Sequence, residues 1–146
     1  MPNKSFFAPA DGGDFVPQHI VYLNIRPTEG TPANGLLYVV DEAELRAFDE
    51  REWIYDRVVV TSQLRGVRVL GGDAYAYVGK PEWRLDESRP RSWAALRQSY
   101  LDIIEAGLRE QPPPEAQEFR AQYEDSTDVV PNDRIFADRT TGPLRA

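Results

Sequence analysis

The chain has no cysteine, one histidine and one methionine, and only two of its 17 basic residues are lysines, Lys4 and Lys80. Without cysteine there is no disulfide scaffold, thiolate metal site or cysteine nucleophile, a composition that fits a reducing cytosol. His19 alone would have to serve any Ser-His-Asp triad or multi-histidine zinc centre. It lies near the start of the chain among loop-like residues, so neither is expected. No apolar run approaches the roughly 18 to 20 residues that cross a bilayer, and Met1 to Asp14 lack the charged-then-apolar order of a secretory signal. A cytoplasmic protein without membrane association is the expectation. An excess of positive charge is missing too: 17 Lys and Arg against 24 Asp and Glu give a net charge of −7. That is the wrong sign for coating phosphate backbones, so no nucleic-acid partner is expected.

Of the 146 residues, 41% are hydrophobic and 11% aromatic, enough to bury one domain's core. The 12 prolines mark its limits. All but Pro81 and Pro90 lie before residue 35 or after residue 110, and proline is poorly tolerated inside helices and central strands. The order expected is a loop-rich segment over 1–18, a domain over 19–123 with its regular core ending near 110, and a flexible tail over 124–146 that is poor in large apolar side chains.

His19 to Ile25 and Gly35 to Val40 are rich in β-branched and aromatic residues, and Pro27 to Asn34 between them has turn chemistry, so a hairpin is expected. Asp41 followed by Glu44 has the spacing of a capping box, which starts a helix running to about Trp53. Arg57 to Thr61 predicts a third strand, and Val67 to Leu70 and Ala74 to Gly79, around Gly71-Gly72-Asp73, predict two more. From Ser92 to about Gln111, Trp93, Leu96, Tyr100, Ile103, Ile104 and Leu108 recur at helical steps. Pro112 to Pro114 end that helix, and Phe119 and Tyr123 suggest a short third one.

The helix begun at Asp41 carries an acid on its apolar side. At about 100° per residue, with Leu45 at 0°, Phe48 falls at about 300° and Glu52 at about 340°, while Asp49 at about 40° borders the stripe. A carboxylate facing an apolar interior is costly unless paired, hydrogen-bonded or protonated. Desolvation is how proteins make a glutamate basic enough to take a proton near neutral pH. The alternative is a boundary glutamate paired with Arg51 or Arg57, or one that turns to solvent.

Asp41-Glu-Ala-Glu-Leu45, Phe48-Asp49-Glu-Arg-Glu52, Tyr55, Arg57-Val58-Val59-Val60 and Ala74-Tyr75-Ala-Tyr77-Val78 together resemble the central part of the gamma-glutamylcyclotransferase-like family, with its "L-D-x-x-E" helix and later hairpin. Phe48 stands in the leucine's place. Asn34 to Tyr38 and Ser99 to Gly107 are similar to the strand before that helix and to a later helix. The resemblance implies an α+β fold, a small and mostly antiparallel β-barrel with two or three packed helices. It implies an intramolecular aminolysis: the α-amino group of a small γ-glutamyl compound attacks the side-chain carbonyl, closing 5-oxoproline and expelling an amine. No cofactor is implied. The proton-transferring glutamate of the motif falls on Glu52. The family's carboxylate-binding Tyr-Gly-Ser loop does not occur in the sequence. Either the chain is shortened at its N-terminus, or another element completes the pocket. A non-catalytic small-molecule or protein binding module that has lost this loop is therefore the alternative function.

Tyr75 and Tyr77 share a strand face and could bind substrate or Glu52, or serve as core aromatics. Tyr22, with Tyr38, could line the same cavity, and Asn24 and Arg26 could bind a carboxylate or cap a turn. Seven acids and three bases between Asp41 and Arg57 follow no calcium-loop spacing and read as a solvated helix face, so no metal is expected. An exposed barrel edge would pair with a second copy, making a homodimer the oligomer to test by light scattering.

Overall fold

The computed structural model describes residues 7–9, 19–25, 27–84, 94–127, 135–136 and 138–140. Along the chain its elements are β1 (Phe7–Pro9), β2 (His19–Ile20), α1 (Glu42–Arg51), β3 (Tyr55–Val59), β4 (Tyr75–Gly79), β5 (Ala94–Arg97), α2 (Gln98–Arg109), α3 (Pro113–Thr127), β6 (Ile135–Phe136) and β7 (Asp138–Thr140). The class is α+β. The strands pair as β1–β7, β2–β5–β6 and β3–β4, and these pairings among the described residues do not by themselves close a barrel. The chain divides into two compact units, Asn24–Arg84 on one hand and Met1–Leu23 with Leu85–Ala146 on the other.

In the Asn24–Arg84 unit the local chemistry at Asp41 starts α1 as the sequence predicts. Asp41 has extended backbone, its Oδ1 accepts from the N–H groups of Ala43 (2.8 Å) and Glu44 (2.9 Å), and its own N–H donates to Glu44 Oε2 at 2.9 Å. Three otherwise unpartnered donors of the first turn are thereby satisfied. Beyond α1, β3 and β4 form an antiparallel pair in which Tyr55 faces Gly79, Arg57 faces Tyr77 and Val59 faces Tyr75. The connection turns at Gly66, Gly71 and Gly72, whose φ angles of 76°, 85° and 73° suit glycine. It is closed at its base by Thr61, whose hydroxyl accepts from Ala74 N–H at 2.8 Å and donates to Asp73 Oδ1 at 3.2 Å.

Several strand expectations are corrected here. The third strand begins two residues early, at Tyr55, and stops at Val59; 67–70 form no strand. Gly35 to Val40 form none either, so the expected hairpin with His19 to Ile25 is not made, and Leu36, Leu37, Tyr38 and Val39 are exposed, Val39 completely. The reason is physical: β-propensity expresses fit to a pleated surface, and a segment becomes a strand only where a neighbouring backbone offers a ladder.

In the other unit β5 is the central strand, parallel to both β2 and β6, with His19 opposite Ala94 and Leu96 opposite Ile135. Ladder pairing overrides helical periodicity at 94–97, so α2 starts at Gln98 rather than Ser92. Ile20, Ala95, Leu96, Leu108 and Ala116 are buried. Tyr100 packs edge-on against Tyr22 at 5.2 Å and accepts a 3.2 Å hydrogen bond from Leu23 N–H. Pro113 does not end structure but opens α3, because the first helical turn needs no N–H from it. Glu105 of α2 holds Arg120 of α3 through both oxygens, the shortest contact being 2.9 Å. Among the described residues no helix is long and apolar enough to cross a membrane.

Candidate functional site

Between Asp41 and Glu52 every residue is exposed except Leu45, Phe48, Asp49 and Glu52, which are half-buried. They stand at the i, i+3, i+4, i+7 spacing of one helix face. Two of the four are acids, and the site is built around them.

Glu52 is the residue at which α1 ends. Its N–H donates to Phe48 O at 2.8 Å and its carbonyl accepts from Tyr55 N–H at 2.8 Å, so its backbone is tied both to the helix and to the start of β3. The side chain is 26% exposed, and Oε1 accepts from Arg51 Nε at 2.8 Å. Arg51 is itself largely exposed and also lies over the Phe48 ring, 4.6 Å from its centroid. An ion pair with one partner so open to water contributes no more than about 1 kcal/mol, and an incoming cation can replace it. Nearby, Lys80 fixes the chain after Glu52: its N–H donates to Ile54 O at 3.0 Å and its ammonium to Trp53 O at 2.7 Å. The Trp53 and Trp83 rings meet edge-on at 5.0 Å.

Asp49 joins the helix to the hairpin. Oδ1 accepts from the Tyr77 hydroxyl at 2.8 Å, and Oδ2 is 3.1 Å from Arg57 Nη1. The Arg57 guanidinium also lies 4.8 Å from the centre of the Tyr75 ring. The ladder explains this meeting. Arg57 and Tyr77 are directly opposed, and Tyr75, two residues along, is the diagonal neighbour within reach of a long side chain. Tyr77 is half-buried and its phenol is pushed above the ordinary value of 10.0, first by desolvation, then by the hydrogen bond to Asp49 and the nearby negative charges of Asp49 and Glu52, with Arg57 opposing.

Of the residues singled out in the sequence, the structure thus gathers Tyr75 and Tyr77 around a centre that also feels the charge of Glu52. Asn24 instead accepts from the Gly79 N–H at 2.7 Å. Tyr22 belongs to the other unit, against Tyr100 and with the Arg97 guanidinium 5.8 Å from its ring. Tyr38 is exposed. Arg26 lies outside the described residues. Asp49 and Arg57 were not expected as site residues. The available signal for Asp49 was its position at about 40° on the wheel, beside Leu45.

Residues 11–95 match the family model described as Gamma-glutamyl cyclotransferase, AIG2-like, a span that takes in α1, β3 and β4. No curated protein and no solved structure matches the chain. With more than half of its length covered by that one match, the chain belongs to the AIG2-like gamma-glutamyl cyclotransferase family.

Proposed function

We propose that the protein is a cytoplasmic enzyme that converts a small γ-glutamyl amide or peptide to 5-oxoproline and a free amine, with Glu52 as general acid and base. The observation that carries this reading is the position of Glu52: a half-buried carboxylate with a fixed backbone, at the end of the stripe that belongs to the family's matched span. The substrate's α-ammonium is a cation that can take the place of the exposed Arg51 beside Oε1. Glu52 then accepts a proton from that ammonium, and the neutral amine forms a bond to the γ-carbonyl carbon. The attacking nitrogen gives up its second proton to solvent, and the carbon–nitrogen bond to the leaving group breaks as Glu52 returns its proton to the departing nitrogen, leaving a neutral lactam N–H and a free amine. Closing a five-membered ring already has a high effective molarity, so an unprotonated nucleophile held in the right conformation supplies most of what is needed. On this reading the β3–β4 hairpin is one part of the family's small barrel.

The test is release of 5-oxoproline from a panel of γ-glutamyl amines and peptides by the parent and by Glu52→Gln. The substitution keeps shape and removes the proton acceptor, so kcat should fall by about 10²-fold or more. Equal rates reject the mechanism.

The Arg51–Glu52 ion pair favours a second reading, a binding module without catalysis. Binding of γ-glutamyl compounds without 5-oxoproline release would select it.

A further inference from the structure

We propose that Tyr77 recognises the α-ammonium group of the γ-glutamyl ligand through a hydroxyl oxygen whose own proton is committed to Asp49, and that Asp49 and Arg57 are the residues that position it. This rests on the reading above for the identity of the ligand.

The argument begins with what each group can donate. A carboxylate accepts hydrogen bonds and donates none, so in the 2.8 Å contact between Tyr77 and Asp49 Oδ1 the phenol is the donor. Asp49 is held in that task from its other side, since Oδ2 is engaged by Arg57 at 3.1 Å. Arg57 is oriented in turn by the Tyr75 ring. A tyrosine hydroxyl is ordinarily ambivalent, able to turn its proton toward an incoming acceptor. Here the proton is spoken for, and what Tyr77 can still present is lone-pair density. Burial and the Asp49 hydrogen bond also keep the phenol protonated well past neutral pH, so the arrangement persists at working pH.

An oxygen that only accepts favours N–H donors and gains most from charged ones. It repels a carboxylate. Glu52 stands three residues after Asp49, Tyr77's hydrogen-bond partner, on the same half-buried face at the end of α1, so a second acceptor for a cation lies one helical turn away. The substrate's α-ammonium fits both: Tyr77 holds the nitrogen while Glu52 takes a proton from it. The ammonium carries three donors, enough for both contacts. Selection for an α-amino group is therefore built in before any chemistry occurs.

The test separates ammonium recognition from catalysis with ligands that cannot react. L-methionine sulfone keeps the α-amino acid head and places sulfone oxygens where the γ-carbonyl would be; 4-(methylsulfonyl)butanoate is the same molecule without the ammonium. Calorimetric titration of the full chain should show tighter binding of the first. Tyr77→Phe, which keeps the ring, should cut that preference by about ten-fold, the size expected for a hydrogen bond to a charged group. Asp49→Asn should cut it in the same direction, because the amide releases the phenol from its donor-only duty. A general loss of packing would weaken both ligands alike and leave their ratio unchanged. A ratio unaltered in Tyr77→Phe, a parent that does not discriminate, or a parent that binds neither ligand overturns the proposal. If Tyr77-dependent selectivity holds but no γ-glutamyl substrate yields 5-oxoproline, the catalytic reading fails and this one stands. If 5-oxoproline is released and the ratio ignores Tyr77, the reverse is true.

Discussion

Gly79 should be irreplaceable by alanine for a reason that a second substitution can expose. A Cβ built at this buried position would meet Asn24 Nδ2 at 2.8 Å and Cγ and Oδ1 at 2.9 Å, closer than non-bonded atoms settle. Asn24 cannot simply step aside, because its Oδ1 accepts the Gly79 N–H at 2.7 Å. In Gly79→Ala the side chain of Asn24 must turn away, leaving a buried N–H unsatisfied at a cost of about 1–3 kcal/mol. Alanine recovers about 0.5–1 kcal/mol of the backbone entropy that glycine loses in a strand, so the net destabilisation should be about 1–2 kcal/mol. Asn24→Ala removes the same hydrogen bond from the other side, at about 1–3 kcal/mol. In the double variant the bond is lost only once and the clash is gone. It should therefore be no less stable than Asn24→Ala alone, with a coupling between the two sites of about 1–3 kcal/mol. Urea denaturation of the four proteins measures this directly. Single effects that add to within about 0.5 kcal/mol would refute the account of Asn24 and Gly79 as one interlocked pair.

Asp41→Ala should cost about 1 kcal/mol in the same denaturation assay, because the first turn of α1 loses the acceptor for Ala43 and Glu44. Tyr77 should ionise later than an ordinary tyrosine in an ultraviolet titration. Its folded value is raised, so its contribution to stability is present below the ordinary value of 10.0 and is lost as pH rises through the folded value. Tyr77→Phe should remove that late-titrating component, and an unchanged titration curve would contradict the geometry. Glu105 has the opposite sign. The hydrogen bond from Arg120, more than any other influence, holds its carboxyl below the ordinary 4.5, so its contribution is present above 4.5 and disappears as pH falls through the depressed value. Arg120→Gln should flatten the acid limb of the stability curve. Both side chains are about one-third exposed, so water and salt screen the pair and the loss at neutral pH should stay within about 1 kcal/mol.

Sequence alone determined those features that depend on neighbours within a few residues. The Asp41–Glu44 cap, the face shared by Leu45, Phe48, Asp49 and Glu52, the strand over Tyr75 to Gly79 and the helix after residue 97 are all legible because N–H groups, helical turns and pleats act at short range. The same locality exposed Glu52 as an acid on an apolar face. What tertiary structure decided were the partners. Gly35 to Val40 have strand composition but no strand, and Ala94 to Arg97 lie in a helical pattern yet become the central strand between β2 and β6. Asp49 looked like a boundary residue until β3 and β4 brought Arg57 and Tyr77 to its two oxygens from 8 and 28 positions away. Periodicity gives the direction in which a side chain points. Only the packed chain supplies the charge or hydroxyl that it meets, and those meetings fix which oxygen accepts, which donates and what chemistry follows.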